Sequence, residues 1–309
     1  MSPQIPPFFR ISTEVSRALE QKQPVVALES AVLTHGLPYP QNLNLADDIE
    51  AEIRRHEVVP ATIAVLDGEV WIGLNPYQIQ RLGQPNPDKL KISGRDFGRA
   101  IAQKTLGGTT VAGTMLAAHL SGIRVFATGG IGGVHHNISR GRQFSYDVSA
   151  DLPALAHTPM IVVSAGAKAI LNLPATLEYL ETWGVPVVGY ETDDFPAFYS
   201  RTSGLKTSAR ANSPEEVIQL AQAHWSVGMR SAVLVVVPPP EEVALPIREV
   251  NAAVKQALKE ARELRIRGQQ VTPFLLERVN RLTRGESLRA NLGLLLNNAQ
   301  VAAKIAQLL

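Results

Sequence analysis

Short runs of uninterrupted apolar residues constrain this chain more than any other feature. Val25-Val26-Ala27-Leu28, Met160 to Ser164 up to its closing serine, and Ala232 to Val237 are continuously apolar rather than alternating. A strand with one wet face alternates, whereas a strand apolar throughout is covered on both faces. The intervening segments carry a different period. Leu45, Ile49 and Ile53 recur every fourth position within Asn42 to His56, and Val250, Val254, Leu258 and Ala261 mark one apolar face further on. That spacing is helical. Covered strands alternating with amphipathic helices predict an α/β fold, layered around a mixed, mainly parallel sheet. The 309 residues contain no internal repeat and no low-complexity linker. One domain over 1–309 is therefore expected, with the C-terminal helices packed on it.

The remaining elements follow from local signals. Thr62 to Leu66 and Glu69 to Leu74 flank Asp67-Gly68, the signature of a tight hairpin. Leu90 to Ser93, Arg124 to Thr128 and Val185 to Tyr190 read as short strands. Gly107-Gly108-Thr109-Thr110 reads as the lead into a helix that reaches about Ser121 and is closed by Gly122. Leu177 to Trp183 reads as helix. Ser213-Pro214-Glu215-Glu216 is a capping box with proline at the first helical position. Thr272-Pro273 opens another helix, and Ser287 to Leu308 forms the last.

Composition removes several function classes. There is no cysteine, so disulfides, thiolate metal sites and a cysteine nucleophile are excluded. The net charge of +2 is scattered, apart from Arg262, Arg265 and Arg267, which read as a solvated helix end. Aromatics are only 6%, which argues against a base-stacking platform for nucleic acid. The first residues show neither a basic nor a long apolar leader segment, and the longest apolar run is too short to span a bilayer. A soluble, cytoplasmic protein with no membrane or nucleic-acid partner is the expectation.

Ligands in open α/β sheets bind beyond the carboxyl ends of the strands. Lys168 follows Val162-Val163-Ser164-Ala165-Gly166-Ala167 at such an end. An amine held there loses solvation, which favours the neutral, nucleophilic form able to attack a sugar carbon; a surface lysine after a strand is the plainer alternative. Glu29 ends the run Val25 to Leu28 and suits a general acid or base; it reads equally as a cap or an ion-pair partner. Thr128 leads into Gly129-Gly130-Ile131-Gly132-Gly133, where backbone without Cβ atoms suits a phosphate or sugar hydroxyls, or simply tight packing. The helix start after Gly107, with Lys91 and Arg95 nearby in sequence, offers an anion site or an ordinary helix end. Asp147 and Asp151 stand four apart, so on a helix they would share a face and could serve a hard divalent ion; Asp151 also reads as a helix cap. The pair His135-His136 reads as metal ligands or as exposed loop residues. Asn291, Asn297 and Asn298 are poor helix formers in the last helix, suited to a ligand or to neighbouring backbone.

Taken together, Ala27-Leu28-Glu29-Ser30, Thr34-His35-Gly36-Leu37-Pro38, Pro60-Ala61-Thr62-Ile63-Ala64, Phe126 to His135, Asp147 to Leu152, Ala165-Gly166-Ala167-Lys168, Tyr179-Leu180-Glu181-Thr182 and Thr272-Pro273-Phe274-Leu275-Leu276 resemble the pseudouridine-5′-phosphate glycosidase family, itself related to the indigoidine synthase A-like proteins. The resemblance runs in order from about residue 10 to the C-terminus. It implies an α/β/α sandwich, a homotrimer and one Mn²⁺ per subunit. It implies reversible cleavage of the C–C glycosidic bond of pseudouridine 5′-phosphate to uracil and ribose 5-phosphate, through a lysine imine on C1′. On this resemblance Lys168 is the nucleophile, Glu29 the proton donor and Asp147 the metal ligand. Lys91, Val111 and Ser149-Ala150-Asp151 match substrate-binding positions, and His135 and Asn291 match contacts to phosphate and uracil. Thr128, from the reading of the glycine loop, joins the substrate-binding set.

Two departures stand out. A short insertion is most easily placed at His136-Asn137-Ile138-Ser139, and Gly94 occupies a position where the family often has arginine. Two other readings use the same lysine. One is a lysine-imine lyase or aldolase acting on another sugar phosphate. The other is a non-catalytic sugar-phosphate binder in which Lys168 only contacts the anion.

Overall fold

The computed structural model describes residues 5–136, 147–266 and 270–309. Its strands are β1 (Phe9–Ile11), β2 (Val25–Leu28), β3 (Val59–Leu66), β4 (Glu69–Ile72), β5 (Leu90–Ile92), β6 (Gly107–Thr109), β7 (Val125–Ala127), β8 (Ile161–Ser164), β9 (Val187–Tyr190), β10 (Ala209–Ala211) and β11 (Val233–Val236). The helices are α1 (Thr13–Glu20), α2 (Gln41–Arg55), α3 (Pro76–Gly83), α4 (Phe97–Ala102), α5 (Val111–Leu120), α6 (Asp151–His157), α7 (Leu173–Thr182), α8 (Pro214–Ser226), α9 (Ile247–Glu263), α10 (Val271–Leu282) and α11 (Glu286–Ala306). All strands join one mixed sheet in the order β1-β4-β3-β2-β7-β8-β11-β9-β10, with β6 bridging β3 and β5. Only the β3 pairings with β4 and β6 are antiparallel. The continuously apolar runs β2, β8 and β11 are fully buried, as covered strands must be.

Helices flank the sheet on both sides. The helix α11 crosses β2, β7 and β8 and packs beside α2 and α8, while α5 packs against β2, β3 and β4 and meets α6, which meets α7. One large apolar cluster runs through these layers. Its chief anchors include Phe126, Ile131, Met115, Leu152 and Phe195, each almost wholly removed from water. No described helix is long and apolar enough to cross a membrane.

Three local features place the site. The β3–β4 hairpin turns through Asp67 and Gly68, both at positive φ (53° and 82°), the primed turn that matches strand twist. The long strand β3 carries β2 along its first half, with Leu28 opposite Thr62, and β6 along its second, with Gly108 opposite Ala64. The chain therefore leaves the sheet after Leu28 where another strand takes over, and Glu29 stands at that junction. Two buried hydroxyls fasten it. Ser30 Oγ donates to Ile63 O at 2.5 Å and accepts from Thr109 N at 3.0 Å, and Thr109 Oγ1 donates to Ile63 O at 2.7 Å. Gly108 is needed here, because a Cβ would lie 2.6 Å from Ser30 O.

The β6 strand corrects the reading of Gly107 to Thr110 as a helix lead alone. A Gly-Gly-Thr strand has almost no side-chain pattern to reveal it. The aspartate pair is also corrected. Asp147 precedes a bridge between Val148 and Val134, and the helix starts only at Asp151, so the two carboxylates share no helix face.

Candidate active site

Sheet register dictates which residues meet. Leu28 is opposite Ala127, and Ala127 is opposite Val163, so the chain exits of β2, β7 and β8 lie side by side. Glu29 and Thr128 are the next residues of the first two strands. After β8, Ile131 of the glycine loop bridges Ala167, and Lys168 N donates to Ile131 O at 3.1 Å. The lysine is thus carried to the same end of the sheet by backbone pairing rather than by a loop.

These ends open into a cavity of about 750 Å³. Glu29, Lys91, His135, Asp147, Ser149, Ala150, Asp151, Lys168 and Asn291 all line it. Two residues expected in the substrate-binding set do not. Val111 is buried at the first position of α5 and turns its side chain into the core, although its neighbours Thr110 and Ala112 reach the wall. Thr128 is also buried and is absent from the wall. Its hydroxyl instead donates to Glu29 Oε1.

The site is electrostatically coupled. Burial pushes the Glu29 carboxyl above its ordinary range, opposed by Lys168, by the Thr128 hydroxyl and by Lys91, and reinforced by Asp151. Burial, and then the nearby Lys168 charge, pull Lys91 down. His135 is lowered by burial, against the pull of Asp147, and its buried Nδ1 has no partner among the described residues. Arg95 and His35 join Lys91 on the wall, where a π-helical turn at Val32–Gly36 presents His35. The Gly94 position faces open space, and Lys91 and Arg95 are the cationic residues beside it in sequence on the cavity wall.

Asp151 behaves differently from an exposed ligand contact. It is 5% exposed, and its carboxylate accepts from Ala112 N at 2.9 Å and Gly132 N at 2.8 Å. It caps the start of α5, not its own helix, and ties that helix to the glycine loop. The loop itself is glycine-rich for closeness. A Cβ on Gly130 would lie 2.6 Å from the Phe198 ring, on Gly132 2.2 Å from Ser149 Oγ, and on Gly133 2.4 Å from Thr176 Oγ1. Tight packing therefore accounts for these glycines.

Phe198 is a wall residue that the sequence did not reveal. It holds φ at 61°, a strained value for an aromatic residue, and its N–H donates to Ala165 O at 3.2 Å. Gly166, at φ 82°, leaves room for Pro196 O, which a Cβ would approach to 2.6 Å. The 195–198 segment thus clamps the turn that leads to Lys168. No sequence signal announces a phenylalanine at positive φ.

Among the described residues, no three His, Asp or Glu side chains converge on one point. His136 faces a separate groove along α9, with Lys255 and Lys259, so the histidine pair does not converge. Asp151 is fully engaged by backbone. Asp147 is exposed on the cavity wall and offers one hard oxygen donor of the kind a divalent ion such as Mn²⁺ or Mg²⁺ takes. The donor set therefore fits a single-carboxylate site and not a protein cage. Of the expected insertion, Asn137, Ile138 and Ser139 lie outside the described residues.

The chain matches the family model described as indigoidine synthase A like protein over residues 14–308. It is 48% identical over 299 residues to the pseudouridine-5′-phosphate glycosidase of Caldanaerobacter subterraneus subsp. tengcongensis, covering 97% of this chain and 96% of that protein. It is 47% identical over 302 residues to the pseudouridine-5′-phosphate glycosidase of Escherichia coli, covering 98% and 96%. Among solved structures, the prealnumycin C-glycosynthase AlnA in complex with ribulose 5-phosphate matches with a TM-score of 0.88 at 39% identity, covering 98% of this chain and 97% of that one. An indigoidine synthase A-like protein from Thermotoga maritima matches at 0.87 and 31%, covering 97% and 95%.

Proposed function

The chain belongs to the indigoidine synthase A-like family, and on that premise we propose that it is a pseudouridine-5′-phosphate glycosidase, cleaving its substrate reversibly to uracil and ribose 5-phosphate. The observation that carries the mechanism is the meeting of Lys168 and Glu29, in electrostatic contact, in one cavity at the strand ends. A C-glycoside has no leaving oxygen or nitrogen to protonate, so hydrolysis by two carboxylates is ill suited to it. Asp151 is also withdrawn from such a role, since both of its oxygens are occupied by backbone N–H groups.

Lys168 Nζ forms a bond to C1′ as the C1′–O4′ bond breaks, and O4′ takes up a proton. The nitrogen lone pair then forms C=N as the C1′–C5 bond breaks, and its electron pair takes up a proton at C5 of uracil. Water hydrolyses the imine, releasing ribose 5-phosphate and restoring the amine. Glu29, whose carboxyl burial favours in its protonated form, is the proton donor. Lys91 and Arg95 supply the positive charge for the phosphate, with Ser149, Ala150 and His135 on the same wall, and Asn291 faces the cavity from α11 as the contact for uracil. Asp147 is the residue that would hold Mn²⁺, which would offset phosphate charge when bound. A trimeric assembly and a cytoplasmic location belong to the same proposal.

The test is borohydride reduction in the presence of ribose 5-phosphate, read by mass spectrometry. A sugar adduct on Lys168, and its loss with turnover in Lys168→Ala, is expected. Saturating sugar without an adduct on that residue refutes the mechanism and leaves a binder. Adding uracil separates the C–C glycosidase from another lysine-imine lyase, because only the former makes pseudouridine 5′-phosphate.

A further inference from the structure

Thr128 and Asn298 do work that neither the cavity lining nor the similarity to known proteins accounts for. Thr128 is 2% exposed and Asn298 fully buried, and neither reaches the cavity wall. The Thr128 hydroxyl donates to Glu29 Oε1. The Asn298 Nδ2 donates to Thr128 O at 2.8 Å and to Gly129 O at 3.3 Å, from the middle of α11. Asn298 Oδ1 is buried without a partner among the described residues. An asparagine within a helix, with an orphaned acceptor in an apolar layer, is costly where leucine would pack. What it gains is a grip on the two carbonyls where β7 leaves the sheet.

The geometry points to Thr128 and Asn298 as positioning residues for Glu29: Asn298 fixes the Thr128 backbone from α11, and the Thr128 hydroxyl fixes the carboxyl that donates the proton. This rests on the proposed proton-transfer role of Glu29. The hydroxyl can donate only to a carboxyl oxygen that accepts, so it holds one oxygen and leaves the other for the reaction. Lys168, Lys91 and Asp151 are the charged groups that also act on Glu29. They act through space, whereas among the described residues it is the Thr128 hydroxyl that hydrogen-bonds the carboxyl and sets its direction. A carboxyl displaced by about 1 Å loses roughly a hundredfold in rate.

The experiment compares Thr128→Val, which keeps the side-chain shape, with Thr128→Ser, which restores the hydroxyl. For Thr128→Val, kcat for pseudouridine 5′-phosphate should fall by about tenfold to a hundredfold. KM should change much less, and the Glu29 limb of the pH profile should move upward because a hydrogen bond to the ionised form is lost. Thr128→Ser should recover most of both. Asn298→Ala should move kcat in the same direction, with folding checked by circular dichroism; Thr128→Val decides the matter if Asn298→Ala does not fold. Carbon-13 NMR of labelled glutamate carboxyls, assigned with Glu29→Gln, follows the Glu29 titration without any turnover. An unmoved Glu29 midpoint in Thr128→Val overturns the proposal, as does a loss confined to KM or an equal loss in Thr128→Ser. If the parent protein does not cleave pseudouridine 5′-phosphate, the functional reading fails, while the NMR midpoint still judges the Thr128 contact.

Discussion

Replacing Asp151 separates its structural work from any contact with substrate. Its carboxylate holds two backbone N–H groups at 2.9 and 2.8 Å, one at the start of α5 and one in the glycine loop, and it is 5% exposed. Charge-assisted hydrogen bonds of this kind contribute about 1.5–3 kcal/mol each. Asp151→Ala strands both donors in a space that water barely reaches, so about 3–5 kcal/mol should be lost. Asp151→Asn retains one acceptor and turns an NH₂ toward the other N–H, so about 2–3 kcal/mol should be lost. Unfolding entropy near 2.1 cal/mol/K per residue makes each kcal/mol worth about 1.5 °C in a chain of this length. The expected drop in Tm is then about 5–8 °C for Asp151→Ala and about 3–5 °C for Asp151→Asn. Differential scanning calorimetry at one fixed protein concentration measures both. A drop below about 1.5 °C for Asp151→Ala, or a larger drop for Asp151→Asn, refutes the reasoning.

Glu29→Gln should abolish turnover yet stabilise the fold. The folded-state carboxyl titrates above its ordinary value, so its contribution to stability is fully present below that value and is lost as pH rises through the raised one. The gain from Glu29→Gln should therefore be absent in acid and grow as pH rises, and urea midpoints across pH would contradict this by showing the reverse order. Phe198→Gly should be more stable than Phe198→Ala by about 1 kcal/mol, because both lose the ring but only glycine sits comfortably at φ 61°; equal urea midpoints would remove the strain argument. Asp147→Ala should raise the Mn²⁺ concentration needed for half-maximal rate, and isothermal titration should show weaker binding of the ion alone. An unchanged titration takes Asp147 out of the metal site.

Much of the layered architecture was legible because burial on both faces is written directly into β2, β8 and β11. The Asp67-Gly68 hairpin and the long helices α2, α9 and α11 were legible for the same reason: their period or turn chemistry is local. Glu29 could be singled out because it directly follows such a strand, and Lys168 because it ends the short run of small residues after one. What stayed hidden depends on partners remote in sequence. The β6 strand is two glycines and a threonine, held by pairing with β3 and by Ser30. The cap supplied by Asp151 belongs to α5, a helix remote in sequence from its own. Thr128 reads as part of a ligand loop, and only the fold turns its hydroxyl inward to Glu29. Lys91, His135 and Asn291, to which the resemblance gives roles, all line the cavity, whereas Val111 is absent from the lining and only its neighbours reach it.

The saturation of the glycine loop by its surroundings divides the cavity into a rigid half and an adjustable one. Every added atom at Gly130, Gly132 or Gly133 collides with a fixed neighbour, so that half tolerates no redesign. Thr272, Leu276 and Asn291 line the cavity from α10 and α11 with side chains that are only partly buried. On the proposed function, a version retuned to couple a different heterocycle to the same sugar would be built from those two helices.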